Sequence, residues 1–234
     1  MNLPLNTSAN ISDPVAQARY NMIEQQIRPW DVLDAKVLAL LGEVKREDFV
    51  PEAYQPVALA DLEVPLGKGE GQCMLAPKVE ARLLQDLALQ PGDSVLEIGT
   101  GSGYLTALMA RQCASVISLE IDPAMAQQAR ANLQAAGVQN VEVRTADATA
   151  DQFGACNAGA PFDAIVLSGS VAEVPPELLA LLKTGGRLWA VVGRAPAMRA
   201  TLVRAVAGGQ HVEQPWDVSA ARLQHFPESS PFKF

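Results

Sequence analysis

The stretch SVLEIGTGSGYLTALMA, residues 94–110, joins a short apolar strand to a glycine-rich turn and the start of an amphipathic helix. Further apolar runs follow it along the chain: SVISLE at 115–120, VEVRTAD at 141–147 and DAIVLS at 163–168. Strands that are apolar throughout and are separated by helical stretches are typical of a parallel sheet covered on both faces. The pattern predicts an α/β fold with a doubly wound, mostly parallel sheet.

The chain before this first strand has a different pattern, with helices and an irregular loop. Asp13 is a suitable N-cap and Pro14 a suitable first residue for a helix. A second helix is predicted in DAKVLALLGEV, residues 34–44, and residues 1–12 are expected to be frayed. The glycine- and proline-rich segment 59–77 is predicted to be irregular.

The chain after the fourth strand predicts a helix, a fifth strand and a hairpin. PPELLALL forms the helix, and the glycine pair in KTGGRLWAVVG is expected to end it and turn into the strand. Two alternating runs around Gly208 and Gly209 predict a C-terminal antiparallel hairpin. We expect one domain over 1–234, with a helical section and substrate-side loop in 1–76 and the cofactor-binding α/β core in 77–234.

Charge and hydropathy exclude several classes of function. The net charge is −8 and basic residues form no cluster, which disfavours a nucleic acid or an anionic membrane surface as partner. The N-terminus has no basic start followed by an apolar run, so neither a signal peptide nor a membrane anchor is expected. These features predict a soluble cytoplasmic protein.

Histidine and cysteine are too sparse to predict a metal site. Cys73, Cys113 and Cys156 form no CxxC pair, so three reduced thiols and no metal are expected. His211 and His225 are interpreted as surface residues. Tyr104 follows the glycine turn and is a candidate lining residue of the site. The three tryptophans are interpreted as packing residues rather than base-stacking platforms: Trp30, Trp189 and Trp216.

The acids around the glycine turn indicate which cofactor it holds. Glu120 ends the second strand, 21 residues after Gly99, where a carboxylate can accept both hydroxyls of a ribose. A dinucleotide fingerprint needs GxGxxG, but Tyr104 occupies its third glycine position. A pyrophosphate near Glu97, taken to stand at the mouth of the turn, would cost about 3 kcal/mol per like-charge pair.

S-adenosyl-L-methionine has the opposite charge at that place, because its ammonium and sulfonium groups are positive. Glu97 would then attract the cationic end, Glu120 would bind the ribose, and Asp147 would accept from the adenine amino group. The alternatives are another nucleotide or a turn with a structural role only. The predicted cofactor-binding residues are Glu97, Gly99, Thr100, Gly101, Ser102, Gly103, Glu120, Ile121, Asp147 and Ala148.

From Arg19 to Gly193 the chain resembles the protein-L-isoaspartate O-methyltransferase family. The motifs that carry the resemblance are MIEQQIRPWDVLDAKVLALLGEVKREDFVPEAY, GEGQ, VLEIGTGSGYLTALMA, NVEV, PFDAIVLS and PPELLALLKTGGRLWAVVG. The resemblance implies a Rossmann-like methyltransferase that uses S-adenosylmethionine to methylate the free carboxylate of isoaspartyl residues in damaged proteins. A carboxylate is already ionised at neutral pH, so no general base and no catalytic residue is nominated.

The segment GQCMLAPKVEA departs from the family's GQTISQPxxxA. Cys73 stands where the family has threonine and Leu75 where it has serine, and the resemblance makes both positions candidates on the substrate side. Leu75 cannot donate a hydrogen bond, and glycines usual around the acid Asp147 are absent. The last 40 residues match poorly. Two alternatives stay open: a relative that methylates another acceptor, and a cofactor-binding protein without isoaspartyl activity.

Overall fold

The centre of the molecule is a seven-stranded, mostly parallel sheet. The computed structural model describes residues 13–67, 69 and 71–228. The expectation for residues 1–12 lies outside these residues. The sheet strands are β3 (Ser94–Ile98), β4 (Ser115–Glu120), β5 (Val141–Thr145), β6 (Phe162–Val171), β7 (Leu182–Arg194), β8 (Ala197–Val206) and β9 (Gly209–Asp217). Their order across the sheet is β5-β4-β3-β6-β7-β8-β9.

The direction of the strands confirms the predicted fold class. Strands β5, β4, β3, β6 and β7 run parallel, while β8 and β9 are antiparallel additions at one edge. The predicted C-terminal hairpin is β8–β9. Strand β3 lies between β4 and β6, so the chain leaves β3 in one direction and later returns on its other side. Ligands of doubly wound sheets bind at such a switch point, beyond the carboxyl ends of the strands.

Helices flank the sheet and precede it. They are α1 (Pro14–Asn21), α2 (Ala35–Glu43), α3 (Pro77–Leu87), α4 (Tyr104–Ala110), α5 (Pro123–Ala135), a short irregular turn α6 (Ala150–Phe153) and α7 (Pro176–Leu179). The Asp13 carboxylate accepts from the Val15 amide, and Asp122 caps α5 in the same way, as their sequence positions predict. Among the described helices, none has the length and apolar character needed to cross a membrane.

The N-terminal section packs into the core on one face of the sheet. A single apolar cluster contains Met22 and Leu41 from this section together with Leu83 and Trp189. A second cluster, which includes Leu96, covers the opposite face. Both faces of the parallel strands are therefore buried, which is why these strands are apolar throughout.

The structure differs from the sequence-based expectation in three places. Segment 59–77 contains one short antiparallel pair, β1 (Val64–Pro65) with β2 (Cys73–Met74). The helix predicted in PPELLALL ends at Leu179. The glycine pair of KTGG lies inside β7 at a bulge, where the pairing jumps from Phe162↔Leu182 to Ala164↔Arg187. The bulge absorbs the residues that were expected to form a turn.

The tryptophans have different environments. Trp189 is fully buried and its ring lies 6.1 Å from that of Trp216, as expected for packing residues. Trp30 is 49% exposed, and the Lys78 ammonium lies 4.2 Å from its ring centroid. Trp30 is therefore half exposed, which differs from the packing role expected from the sequence.

Arg187 of β7 ties the sheet to the end of α3. Its guanidinium donates to the carbonyls of Leu87 (2.7 Å), Ala88 (3.0 Å) and Asp163 (3.1 Å), and forms a buried ion pair with Asp93 at 2.7 Å. Four acceptors in different directions require the planar, forked guanidinium. Lysine could satisfy only some of them.

We predict that Arg187→Lys lowers the free energy of unfolding by about 3 kcal/mol, because it leaves buried acceptors unpaired. Urea unfolding followed by circular dichroism measures this change. Arg204→Lys is the control, since Arg204 is partly exposed and pairs with Glu213 at 3.4 Å; it should change the same quantity by less than about 0.5 kcal/mol. Equal effects of the two substitutions would contradict the role of Arg187.

Candidate active site

The glycine turn lies at the carboxyl end of β3, at the switch point of the sheet. Gly99, Gly101 and Gly103 have φ angles of 95°, 56° and 84°, in the left-handed region that other residues rarely adopt. A Cβ at Gly103 would also lie 3.2 Å from Leu133 of α5. The backbone can therefore follow this path only with glycine at these positions.

Contacts from neighbouring elements hold the turn in place. The Asn132 side-chain amide of α5 donates to the Ser102 carbonyl at 2.9 Å. The hydroxyls of Thr100 and Ser118 lie 2.6 Å apart, and the Gly99 amide donates to the Leu119 carbonyl at 2.8 Å. The turn is thus bound to both β4 and α5.

Glu120 closes one side of the turn. Its Oε2 accepts from the Gly101 amide at 2.9 Å and its Oε1 accepts from the Asp122 amide at 3.1 Å. The carboxylate is held at the end of β4, beside the glycines, as the spacing in the sequence predicts. It lines the cavity described below.

Glu97 lies beneath the turn rather than at its mouth, which corrects the expected position. Its side chain is fully buried and accepts from the hydroxyls of Thr106 (2.5 Å), Ser118 (2.6 Å) and Ser168 (3.1 Å). Burial raises the pKa of Glu97 to about 7, and the three hydroxyls oppose that rise. Glu97 is not among the cavity-lining residues, so direct contact with a ligand stays a prediction.

Asp147 lies two residues after the end of β5 and accepts three hydrogen bonds. Its Oδ1 accepts from the Thr149 amide and hydroxyl at 2.9 and 2.7 Å, and its Oδ2 lies 2.6 Å from Nδ1 of His225. Burial alone would raise the pKa of Asp147, but the bonds from His225 and Thr149 outweigh it and lower the pKa below its usual range. Asp147 is therefore ionised at neutral pH.

A cavity of about 100 Å³ connects these groups. It brings together six of the predicted cofactor-binding residues: Gly99, Gly101, Glu120, Ile121, Asp147 and Ala148. The wall carries the carboxylates of Glu120 and Asp147 and one guanidinium, Arg222. A second cavity, of about 760 Å³, adjoins it on the side of the N-terminal section and shares Gly101 with it.

The other predicted cofactor-binding residues lie beside the cavity of about 100 Å³ and not on its wall. Thr100 and Ser102 are buried and, with Leu75 and Tyr104, line a chamber of about 30 Å³ behind the turn. Gly103 is the N-cap residue of α4. Tyr104 is 1% exposed, and burial raises its pKa above the usual range, so it packs beneath the turn.

The two substrate-side candidates have different surroundings. Cys73 lines the 100 Å³ cavity, and its Sγ lies 3.6 Å from Oε2 of Glu63. Leu75 is 5% exposed, and its carbonyl accepts from the buried Arg46 guanidinium at 2.8 Å. All three cysteines are free thiols. Cys73 thus lies on the cavity wall, and a substrate-side role of either residue stays a prediction.

Sequence reasoning missed several residues of the cavity wall: Leu66, Gln72, Met125, Ser168, Arg222, Leu223, Gln224 and Phe226. Ser168 could have been found, because it ends the apolar run DAIVLS, which follows the acid-bearing strands in the sequence. The C-terminal residues had no signal, since nothing local in the sequence indicates that a segment returns to the first turn of the sheet. His225, interpreted as a surface residue, is 61% exposed but bonds to Asp147.

The position of Glu97 generates a prediction about pH. A carboxyl group with a folded-state pKa near 7 and an ordinary value of 4.5 stays protonated in the folded protein while it ionises in the unfolded chain. Its contribution to stability is therefore present below about pH 4.5 and is lost as the pH rises to 7. We expect Glu97 to account for a fall of about 1 to 3 kcal/mol over this range.

Glu97→Gln should abolish this part of the pH dependence, because glutamine is similar in shape but does not ionise. Urea unfolding at several values between pH 4.5 and 7.5 would give the slope for both proteins. Glu177→Gln serves as the control, since Glu177 is exposed. The same slope for the wild type and Glu97→Gln would refute the prediction.

Comparisons with known proteins agree with this architecture. Residues 17–215 match the family described as protein-L-isoaspartate(D-aspartate) O-methyltransferase. Proteins named protein-L-isoaspartate O-methyltransferase match over most of their length: one from Methanoculleus marisnigri is 41% identical, covering 78% of this chain and 80% of that protein, and one from Methylorubrum extorquens is 39% identical, covering 89% of each.

A solved structure shows the same fold. It is the crystal structure of a protein-L-isoaspartate O-methyltransferase from Plasmodium falciparum in complex with S-adenosyl-L-homocysteine, with a TM-score of 0.73 and 21% identity over 91% of this chain and 99% of that one. The family match extends over the N-terminal section, the glycine turn and the sheet. The chain belongs to the protein-L-isoaspartate(D-aspartate) O-methyltransferase family.

Proposed function

We propose that this protein transfers a methyl group from S-adenosyl-L-methionine to the free carboxylate of isoaspartyl residues in damaged proteins. The observation that carries the proposal is the cavity at the switch point, where Glu120 and Asp147 face the glycine turn. The family of the chain supports the same activity, because its members are named for it.

The residues of the cavity fit S-adenosylmethionine. The Glu120 carboxylate stands where a ribose would be bound, and Asp147 offers an acceptor for the adenine amino group. Gly99 and Gly101 line the cavity and have no Cβ, so a ligand can approach the backbone of the turn closely. The wall carries two carboxylates and one guanidinium, Arg222, so its net negative charge favours a cationic ligand over a pyrophosphate. When bound, S-adenosylmethionine supplies an electrophilic methyl group on a sulfonium.

The protein's contribution to the reaction is positioning. The acceptor carboxylate needs no general base, since its ordinary pKa is well below neutral pH. The larger cavity, between the N-terminal section and α5, offers a path for a peptide to the glycine turn. Leu66 and Gln72 line both cavities and mark the boundary between them. Alignment of the acceptor with the methyl group there is the source of rate enhancement.

Leu75 is the main departure from the family's acceptor side. Its buried side chain lines the chamber beside the turn and offers no donor to a carboxylate. Ser168 carries a hydroxyl group and lines both this chamber and the cavity of about 100 Å³, which we call the cofactor-side cavity. Its single hydroxyl proton is donated to Glu97, so Ser168 does not replace the donor that is absent at position 75. The second candidate function, methylation of a less polar acceptor, is favoured by the apolar Leu75 itself.

The acceptor is a protein or peptide, as for the rest of the family. The net charge of −8 argues against nucleic acid as a partner. Three free thiols fit a reducing compartment, and on this ground we propose the cytoplasm as the place of action.

Glu120→Ala should remove most of the affinity for the cofactor product, because it deletes the ribose acceptor and frees the Gly101 amide. Thermal unfolding with S-adenosylhomocysteine measures this: we expect the ligand to raise the wild-type melting temperature and the variant's hardly at all. NAD should leave both melting temperatures unchanged. A full response to NAD and none to S-adenosylhomocysteine would exclude the cofactor assignment.

Methyl transfer to a synthetic isoaspartyl peptide, with the aspartyl peptide of the same sequence as control, tests the activity. We expect labelled methyl groups on the isoaspartyl peptide only. The double variant Cys73→Thr/Leu75→Ser should increase kcat/KM by about tenfold, because it restores the family's hydroxyls as donors to the carboxylate.

The single variant Cys73→Thr separates the two positions and leaves the buried Leu75 intact. If the double variant binds S-adenosylhomocysteine normally but is no more active than the wild type, the acceptor side is built for something other than an isoaspartyl carboxylate. In that case labelled transfer into cell extract, fractionated into proteins and small molecules, identifies the class of the true acceptor.

A further inference from the structure

The segment after β9, residues 219–226, crosses the end of β6 and forms part of the cofactor-side cavity. It lies outside the residues that match the family, which end at 215. The Ser170 amide donates to the Ala221 carbonyl at 2.7 Å, and the Leu223 amide donates to the Ser170 carbonyl at 2.9 Å. These two bonds fix the backbone of the segment to the sheet.

Leu223 and Phe226 pack this segment against the site. A Cβ at Gly99 would lie 3.1 Å from a methyl group of Leu223, and one at Gly169 would lie 2.9 Å from the same methyl group. Phe226 is 7% exposed, and its ring lies 5.6 Å from that of Phe153. The segment is thus anchored at the glycine turn and again beside α6.

His225 lies between these two anchors in a left-handed conformation, with φ of 62°. Such a φ is uncommon for residues other than glycine, although asparagine, aspartate and histidine tolerate it best. The conformation directs Nδ1 to within 2.6 Å of Oδ2 of Asp147, 78 positions earlier in the chain. A less favourable backbone conformation persists where its surroundings determine it, and such positions cluster at functional sites.

The bonds to Asp147 leave room for a ligand. A carboxylate has about four acceptor directions, and Thr149 uses two of them through its amide and hydroxyl. His225 uses a third. One direction is left for another donor, and the three bonds from the protein hold the carboxylate in a single orientation.

We propose that segment 219–226 is a wall of the cofactor site and that His225 is a positioning residue, which holds the Asp147 carboxylate toward the adenosine part of the cofactor. The inference rests on the cofactor assigned under the proposed function. His225 acts through Asp147 and contacts no reacting atom.

Two substitutions, His225→Gly and His225→Asn, test the role of the His225 side chain without changing the backbone conformation. Glycine and asparagine both adopt the left-handed region readily, but only asparagine keeps an N–H donor near the position of Nδ1. The control is His211→Asn, because His211 lies on the exposed edge strand β9 beside Glu213. Isothermal titration calorimetry measures binding of S-adenosylhomocysteine and of 5′-methylthioadenosine, which lacks the amino-acid part.

We expect His225→Gly to bind both ligands about tenfold more weakly, since it loses a charge-assisted hydrogen bond that orients Asp147. His225→Asn should bind within about twofold of the wild type, as should His211→Asn. Melting temperatures without ligand should be similar for all four proteins, because the His225 side chain is 61% exposed. Weakening of S-adenosylhomocysteine alone would overturn the placement at the adenosine part.

Equal or tighter binding by His225→Gly would overturn the positioning role. This failure is distinguishable from failure of the proposed function. If the wild type binds S-adenosylhomocysteine and His225→Gly weakens it, but no methyl group reaches the isoaspartyl peptide, the acceptor assignment fails alone. If the wild type binds neither ligand, both the cofactor assignment and this inference are wrong.

Discussion

The buried Glu97 carboxylate and its three hydroxyl donors join the elements on which the site depends. Glu97 belongs to β3, and its donors come from α4 (Thr106), β4 (Ser118) and β6 (Ser168). No cation neutralises this group in the described contacts, so hydrogen bonds must offset the cost of its burial. Because the four elements meet at one side chain, the path of the glycine turn between them is determined. Because Glu97 is buried, the stability of the fold depends on pH through the ionisation of this side chain.

The path of the glycine turn determines which acidic side chains line the cavity. Its left-handed glycines bring the Gly101 amide to Glu120, and Asp147 stands one strand further along the same sheet edge. Parallel strands bring their carboxyl ends together, which is why acids that end successive strands face one cavity. The buried Arg46 guanidinium binds the Leu75 carbonyl and holds the segment around Leu75 against the core.

Much of the cofactor side was predictable because its signals are local. The glycine spacing, Glu120 at the end of the next strand and Asp147 after the third lie within about fifty residues, in a pattern that periodicity reveals. Glu97 was placed wrongly at the mouth of the turn. A strand residue can point either to the ligand or into the core, and only the hydroxyls of Ser118 and Ser168 decided the direction. Leu75 was identified as a departure, but its burial and its bond to Arg46 were not foreseeable.

The sequence by itself determined the fold class, the family and the position of the acids Glu120 and Asp147 at the sheet edge, because apolar periodicity, turn glycines and helix caps act over short stretches of chain. Only the tertiary structure decided that residues 219–226 return to the glycine turn and that His225 binds Asp147. That pair is separated by 78 positions, and an exposed histidine in a C-terminal segment has no local pattern that names its partner. Contacts of this kind form only when the sheet has assembled, because its assembly brings the strand ends and the returning chain to one edge.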